Sequence, residues 1–491
     1  MDKTNMSKSC RCPLSRRSFL SSAGTMAAAM NLGVFDYASS LFAASATGAK
    51  PVVRVAFVRT IANRNFMGWP GQDWDNDEHQ KHYTRILNEA AADLHVDLRL
   101  RQEPLWTGQT DSLMEAIKKE KPDGLLLICM SLHPNGWSII NPIAKNRGNI
   151  PTIVFSPVGS SFTGHLQATR NIPSLFVAST QHEAWLKTGL RMLDTVWRMK
   201  HTRLCIVSGK KKEDRKVEHF GTTLHYYPES SFCQIAHKTE INDKIRAIAN
   251  YYEKNAKAII EPTKKDILNA AAIYVACRTV MQQENCDGIS INCLPLVSQK
   301  IGSEGHLWEP CVAFSRLRDE GIVAACEADV HAALSSRLTH LLVRRPGFMQ
   351  DPAPLTVNNT LVGAHCCSPT RLAGFDKPPV PFILRSHQEA DRGVATQVLW
   401  PVGKRMTIME LRLPDTIRVG AGTVVSNIEP SPKGHNPYEE AGGCRTSVEV
   451  SVDDVADTRD VKGFHQLFIL GDLEQEFKNY AQLANLKVEH I

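Results

Sequence analysis

The sequence predicts an α/β protein in which two parallel-sheet domains precede a β-rich C-terminal domain. Three observations carry this expectation. Between residues 52 and 157 strand-like apolar runs alternate with amphipathic helical segments, the same alternation returns between 181 and 343, and beyond about 350 it gives way to short β runs bounded by Gly, Pro and Asn. Alternation puts helices on the faces of a parallel sheet, whereas closely spaced short strands build barrels or sandwiches. A chain of 491 residues also exceeds what one hydrophobic core supports, at roughly 150 residues per domain.

The chain opens with a leader. Ser15-Arg16-Arg17-Ser18-Phe19-Leu20 precedes a mildly apolar stretch, and small residues near 43–46 offer an A-x-A cleavage site. Residues 1–48 therefore read as a twin-arginine signal peptide, which implies export to the periplasm or beyond. The stretch is too short and too rich in Ala, Gly and Ser to span a membrane stably. It also accounts for half of the formal charge of +6, because Lys3, Lys8, Arg11, Arg16 and Arg17 outweigh Asp2 and Asp36 by three. The remaining +3 is too weak a charge to support a nucleic-acid-binding reading.

In the expected N-terminal α/β domain, residues 49–180, VVRVAFV, VDLRLR, GLLLICM and TIVFS read as strands, with helices near 79–92, 111–119 and 137–145 between them. The segment FMGWPGQDWDND reads as a loop after the first strand, where Trp69 and Trp74 offer flat faces to a sugar ring or form a rigid turn. The second α/β domain, residues 181–350, opens on a helix from 181 to 199. It continues through the strand RLCIVSG, a charged stretch, a helix from 264 to 283, and the strands GISINC and GIVAAC. After RRPGFMQDPAP the C-terminal domain, 351–491, carries TLVGAHC, PFILRSH, TQVLWPV, RMTIMELRL, DTIRVGAGTVV, TSVEVSV and HQLFILG, closed by a helix over 473–486. GAGT at 420–423 lies between β runs and is no nucleotide fingerprint.

Thirteen cysteines, two of them in the leader, leave an odd eleven with no C-x-x-C spacing, several inside apolar runs. That usage points to buried free thiols rather than a disulfide framework or a zinc motif. The mixed charges of Lys210-Lys211-Lys212-Glu213-Asp214-Arg215-Lys216 read as a solvated loop.

The residues with the most chemistry follow GIVAAC. Glu327 and Asp329 stand at a strand end on the entry to a helix, the place where ligands bind in wound α/β domains. Two residues apart, they share a face on a strand but diverge by about 200° on a helix, so either acid can be a mere cap. His365, in His365-Cys366-Cys367, and His387, ending PFILRSH, are candidate substrate contacts together with Trp69. His465 opens the last β run and can serve as an imidazole ligand; with Asp329 it would offer the oxygen and nitrogen that Mn²⁺ or Mg²⁺ accepts.

DGISINCLPL, PCVAFSRLRDEGIVAACEADVHAAL, RPGF and GFHQ, in this order, resemble the L-fucose isomerase-like proteins from about Asp287 onward. The resemblance implies two Rossmann- or flavodoxin-like domains and a barrel-like third, and sites between domains and often between subunits of a homo-oligomer. It also implies interconversion of an aldose and a ketose of fucose or arabinose type with Mn²⁺ held by a glutamate, an aspartate and a histidine. Asp329 matches the aspartate and His465 the histidine, with Glu327 assisting catalysis. The glutamate belongs shortly after Cys293, where this chain has Leu294-Pro295-Leu296. Three outcomes follow: Glu304, Glu309 or Glu327 replaces the lost ligand, or the chain keeps a sugar cleft without the isomerase chemistry, or it performs another reaction on a carbohydrate.

Overall fold

A computed structural model describes residues 49–67, 72–106, 109–132, 135–157, 159–293, 309–388, 390, 392–429 and 444–491. The leader, Trp69, the segment 294–296 and Glu304 lie outside the described residues.

The first sheet grows from β1 (Val52–Val58), after which a hairpin of β2 (Arg64–Met67) and β3 (Gln72–Asp75) occupies part of the segment expected to be loop. Asp75 then caps the helix Asn76–Leu94, accepting the Glu78 N–H at 2.9 Å. With β4 (Asp97–Leu100), β5 (Gly124–Cys129), β6 (Thr152–Pro157) and β7 (Leu175–Thr180) the sheet runs β4-β1-β5-β6-β7, all parallel. This is the 2-1-3-4-5 order of doubly wound folds. Helices cover both faces, so GLLLIC and TIVFSP are buried throughout, which is why they read as continuous apolar runs and not as alternation.

The second sheet contains β8 (Arg203–Val207), β9 (Glu213–Lys216), β10 (Thr223–Tyr227), β12 (Gly288–Ile291) and β13 (Val323–Cys326), ordered β13-β12-β8-β10-β9. Four strands are parallel and the exposed β9, from the charged stretch, is an antiparallel edge. Between β10 and β12 lie two helices absent from the sequence reading, Glu229–His237 and Asp243–Asn255. Helix Lys264–Gln283 has the expected bounds, set by a capping box between Thr263 and Asp266.

Strand β11 (Ala258–Ile259), from the second domain, pairs with β16 (Phe382–His387), itself antiparallel to β17 (Arg392–Val398). PFILRSH and TQVLWPV thus form a separate small sheet. The barrel consists of β14 (Phe348–Leu355), β15 (Thr360–His365), β18 (Arg405–Arg412), β19 (Thr416–Asn427), β20 (Thr446–Val452) and β21 (Gln466–Leu470). Its order β18-β21-β14-β15-β20-β19 closes through a β18–β19 pairing, and β22 (Lys487–His490) adds in parallel to β19. The expected α/β fold with a barrel-like C-terminal domain is therefore present. RPGFMQDPAP, read as a change of character, supplies barrel strand β14; it pairs with β21 only over Phe348–Gln350, and Pro352 and Pro354 lie beyond that point, where one edge is free. No helix among the described residues is long and apolar enough to cross a membrane.

Candidate functional site

At the end of β13 the chain turns sharply. Glu327 and Ala328 both adopt left-handed backbone, φ 61° and 54°, while the Asp329 N–H returns to the Cys326 carbonyl at 3.1 Å and the Ala328 N–H reaches the Ile291 carbonyl at 3.0 Å. Two consecutive non-glycine residues in this region cost about 1–2 kcal/mol each, strain typical of functional sites. Asp329 then caps the helix Val330–Val343, its Oδ1 accepting the Ala332 N–H at 2.7 Å. The cap does not consume the residue: Oδ2 accepts from His465 Nδ1 at 2.9 Å across 136 positions of sequence.

The barrel rim supplies the facing groups. Strands β15, β14 and β21 are neighbours, with Asp351 registered against Ala364 and Gln350 against Gln466. That register sets His365, at the end of β15, Asp351, on β14, and His465, just before β21, side by side. His465 is itself left-handed at φ 55°, and the preceding Gly463 at φ 108° packs so tightly that an added Cβ would lie 2.4 Å from Glu410 Oε2.

Glu327 sits between the two histidines. Its Oε2 is 3.5 Å from His465 Nε2 and its Oε1 is 3.9 Å from His365 Nε2. Asp351 Oδ1 lies 3.1 Å from the same His465 Nε2. The tight strand-to-helix turn thus resolves the geometric ambiguity of Glu327 and Asp329: both acids reach one imidazole, Asp329 at Nδ1 and Glu327 at Nε2. His465 Nε2 is thus paired with Asp351 Oδ1, while His365 Nε2 is buried without a hydrogen bond among the described residues. Buried polar atoms are nearly always satisfied, so the unpartnered His365 Nε2, facing Glu327, is the atom of this cluster with bonding capacity to spare.

The electrostatics follow from the same contacts. Burial disfavours the imidazolium of His465, but the carboxylates of Asp329 and Asp351 outweigh it and push the group up to about 9. Burial alone would raise Asp329; its bonds from His465 and the Ala332 N–H instead hold it below the usual carboxylate range. Glu327 is half-buried and raised, burial outweighing the nearby histidines. Glu327, His365 and His465 offer ligand atoms all within 4.8 Å of one another, and Asp351 Oδ1, 3.1 Å from His465 Nε2, adds a second carboxylate. Carboxylate oxygens with imidazole nitrogen suit a hard to borderline divalent ion.

The remaining candidates take other places. Glu309 is buried in an ion pair with Arg392 at 2.9 Å, and so is engaged elsewhere. His387 lies on β16, its Nδ1 accepting the Ala390 N–H at 3.3 Å and its ring hydrogen-bonding Cys366. Trp74 is almost wholly buried and stacks on His79 at 3.6 Å, a packing position instead of a sugar platform. Asp351 was not a sequence candidate, since its flanking prolines made the segment look like a connection. The exposed Phe464 ring, 4.3 Å from that of His465, is a second group the sequence reading passed over.

No family model matches the chain. A curated relative is a sulfoquinovose isomerase from Alkalicoccus urumqiensis. The two are 24% identical over 246 residues, 47% of this chain and 53% of the relative, so the chain spans about half the length of the curated relative it matches.

Proposed function

We propose that this protein is a metal-dependent aldose–ketose isomerase acting on a free sugar through an enediol. The observation that carries the reading is the convergence of His365 Nε2 and His465 Nε2 on the half-buried Glu327, with Asp351 Oδ1 3.1 Å from the same His465 nitrogen. In this reading His465 Nε2, Asp351 and Glu327 Oε2 hold the ion, and Asp329, the aspartate matched by the family motif, keeps the His465 ring turned by accepting its Nδ1–H. Bound there, Mn²⁺ or a similar hard divalent cation supplies Lewis-acid polarisation of the open-chain carbonyl.

The residues do the proton work. Glu327 Oε1, on the His365 side, takes the proton from the carbon beside the carbonyl and returns it to the neighbouring carbon; the raised affinity of this carboxylate for protons moves it toward the range a base needs near neutral pH. His365 carries its proton on Nε2, because Nδ1 accepts the Cys366 N–H at 2.9 Å, and so donates toward Glu327 or a sugar oxygen. Glu327 thereby fills the role of the family glutamate that the segment Leu294-Pro295-Leu296 lacks.

Substrates of fucose or arabinose type, or a sulfonated hexose like that named by the relative, are the panel to test. Isomerisation in D₂O should place deuterium at C2 of the recovered aldose and produce the ketose. Chelator and Glu327→Gln should each abolish both signals. Metal-loaded protein that binds sugar equally well with chelator, and exchanges no deuterium on any of these sugars, would refute the proposal in favour of a non-catalytic carbohydrate-binding protein. We further propose export by the twin-arginine route, on the motif at residues 15–20, and a homo-oligomer, on the family resemblance.

A further inference from the structure

Behind the acidic cluster lies a second group that the isomerase reading does not use. Cys326 ends β13, Cys293 follows β12 by two residues and Cys367 follows β15 by two; all three are buried. The Cys326 and Cys367 sulfurs are 3.3 Å apart, Cys326 also hydrogen-bonds Cys293, and His365 Nδ1 is 3.5 Å from Cys367 Sγ. The fully buried Arg318 places Nη1 3.2 Å from Cys367 Sγ and Nε 2.9 Å from the Ala324 carbonyl.

We propose that Cys326, Cys367 and His365 Nδ1, whose ligand atoms lie within 4.8 Å of one another, form a structural site for a borderline-soft divalent cation of the Zn²⁺ class, with Cys293, hydrogen-bonded to Cys326, turning in as the fourth ligand. Tetrahedral Zn–S bonds of about 2.3 Å and Zn–N bonds of about 2.0–2.1 Å separate neighbouring ligand atoms by roughly 3.5–3.8 Å, close to the 3.3 and 3.5 Å observed. The sulfurs are too far apart for a disulfide, whose bond is about 2.05 Å. Charge also balances: three thiolates against a dication leave one negative charge, and the Arg318 guanidinium beside Cys367 cancels it.

The histidine joins the two sites. The His365 Nδ1 lone pair, which accepts the Cys366 N–H at 2.9 Å, would be released from that bond to the ion, and the neutral ring would keep its proton on Nε2, facing Glu327 Oε1. A metal-bound histidine that donates its other N–H to a carboxylate is the usual supporting arrangement around metal centres. The ion would therefore fix the tautomer of His365 and, resting on the isomerase reading, the orientation of the Glu327 proton carrier. The binding proposal itself stands apart from that reading.

The experiment loads the full chain with Zn²⁺ under reducing conditions and measures metal and sulfur coordination by elemental analysis and X-ray absorption, with Co²⁺ as a coloured probe. One Zn²⁺ per chain with three sulfur neighbours, retained in His465→Ala and Asp351→Asn, is expected, together with a thiolate-to-cobalt charge-transfer band. Cys326→Ser and Cys367→Ser should each lose the band; if either variant fails to fold, the coordination of the unaltered protein still decides. An oxygen- and nitrogen-only shell, zinc lost on His465→Ala, no retained zinc, or a Cys326–Cys367 disulfide two mass units lighter would each overturn the proposal.

Discussion

The affinity of the acidic cluster for a hard divalent ion must depend on pH in a way that His465 dictates. In metal-free protein its imidazolium is held by Asp329 at Nδ1 and Asp351 at Nε2, with a pKa of about 9. An ion taking Nε2 displaces that proton. At pH 7 the neutral ring is then about one part in a hundred, a handicap of about 2.7 kcal/mol, and between pH 6 and 8 the apparent Kd for Mn²⁺ should fall roughly tenfold per unit. The gain should level off near pH 9, and the slope should steepen at the acid end where the raised Glu327 also protonates. Calorimetric titration of chelator-stripped protein with Mn²⁺, in two buffers of different ionisation enthalpy, measures both the affinity and the protons released. About one proton per ion at pH 7 is expected. A flat Kd across this range, or no proton release, would refute the assignment of His465 Nε2 to the ion. The sign for stability runs the other way. A histidine raised from 6.5 contributes stability that is complete below about 6.5 and lost as pH rises through about 9, so stripped protein should melt at lower temperature at pH 9 than at pH 6.

Other outcomes follow from individual residues. Ala328→Gly relieves a left-handed alanine at φ 54°; the relief of about 1–2 kcal/mol less the added unfolded-state entropy of about 0.5–1 kcal/mol should stabilise the fold slightly, read as a higher melting temperature. Asp319 is buried and accepts from the Thr370 N–H, the Thr370 hydroxyl and the Arg371 N–H at 2.6–2.8 Å. Asp319→Ala should therefore cost about 3 kcal/mol in chemical denaturation by orphaning those donors. Glu327→Gln should leave melting within about 1 kcal/mol of the parent while removing deuterium exchange into sugar, the separation expected of a residue that moves protons but holds little of the core.

The fold was legible because its strands are dictated by burial. GLLLIC and VAAC are apolar throughout since both faces are covered, and Thr263 with Asp266 announces a helix start that any context would respect. The helices Glu229–His237 and Asp243–Asn255 escaped because they are short and surrounded by charge, and so present only a narrow apolar stripe. The site was legible in part. A strand end followed by two acids is a local signal, and the family pattern tied Asp329 to a histidine 136 residues away. Asp351 carries no local signal at all: its role arises from the register of β14 against β15 and β21, a pairing across up to 116 positions of sequence, and its two neighbouring prolines disguise the strand. Nor does spacing reveal the thiol cluster, whose members come from the ends of three separate strands.

The barrel and the second sheet each hold half of the cluster. Glu327 and Asp329 belong to the segment after β13, while His365, Asp351 and His465 sit on the rim of the barrel. An ion held by both halves, as proposed, would make ligand binding and the docking of barrel on sheet one equilibrium. An ion present at a hundred times its Kd would add about 2.7 kcal/mol to that docking. An ion bound as proposed would act as a rivet between the barrel and the second sheet, and a protein assembled with its barrel displaced would announce itself by the ion it fails to keep.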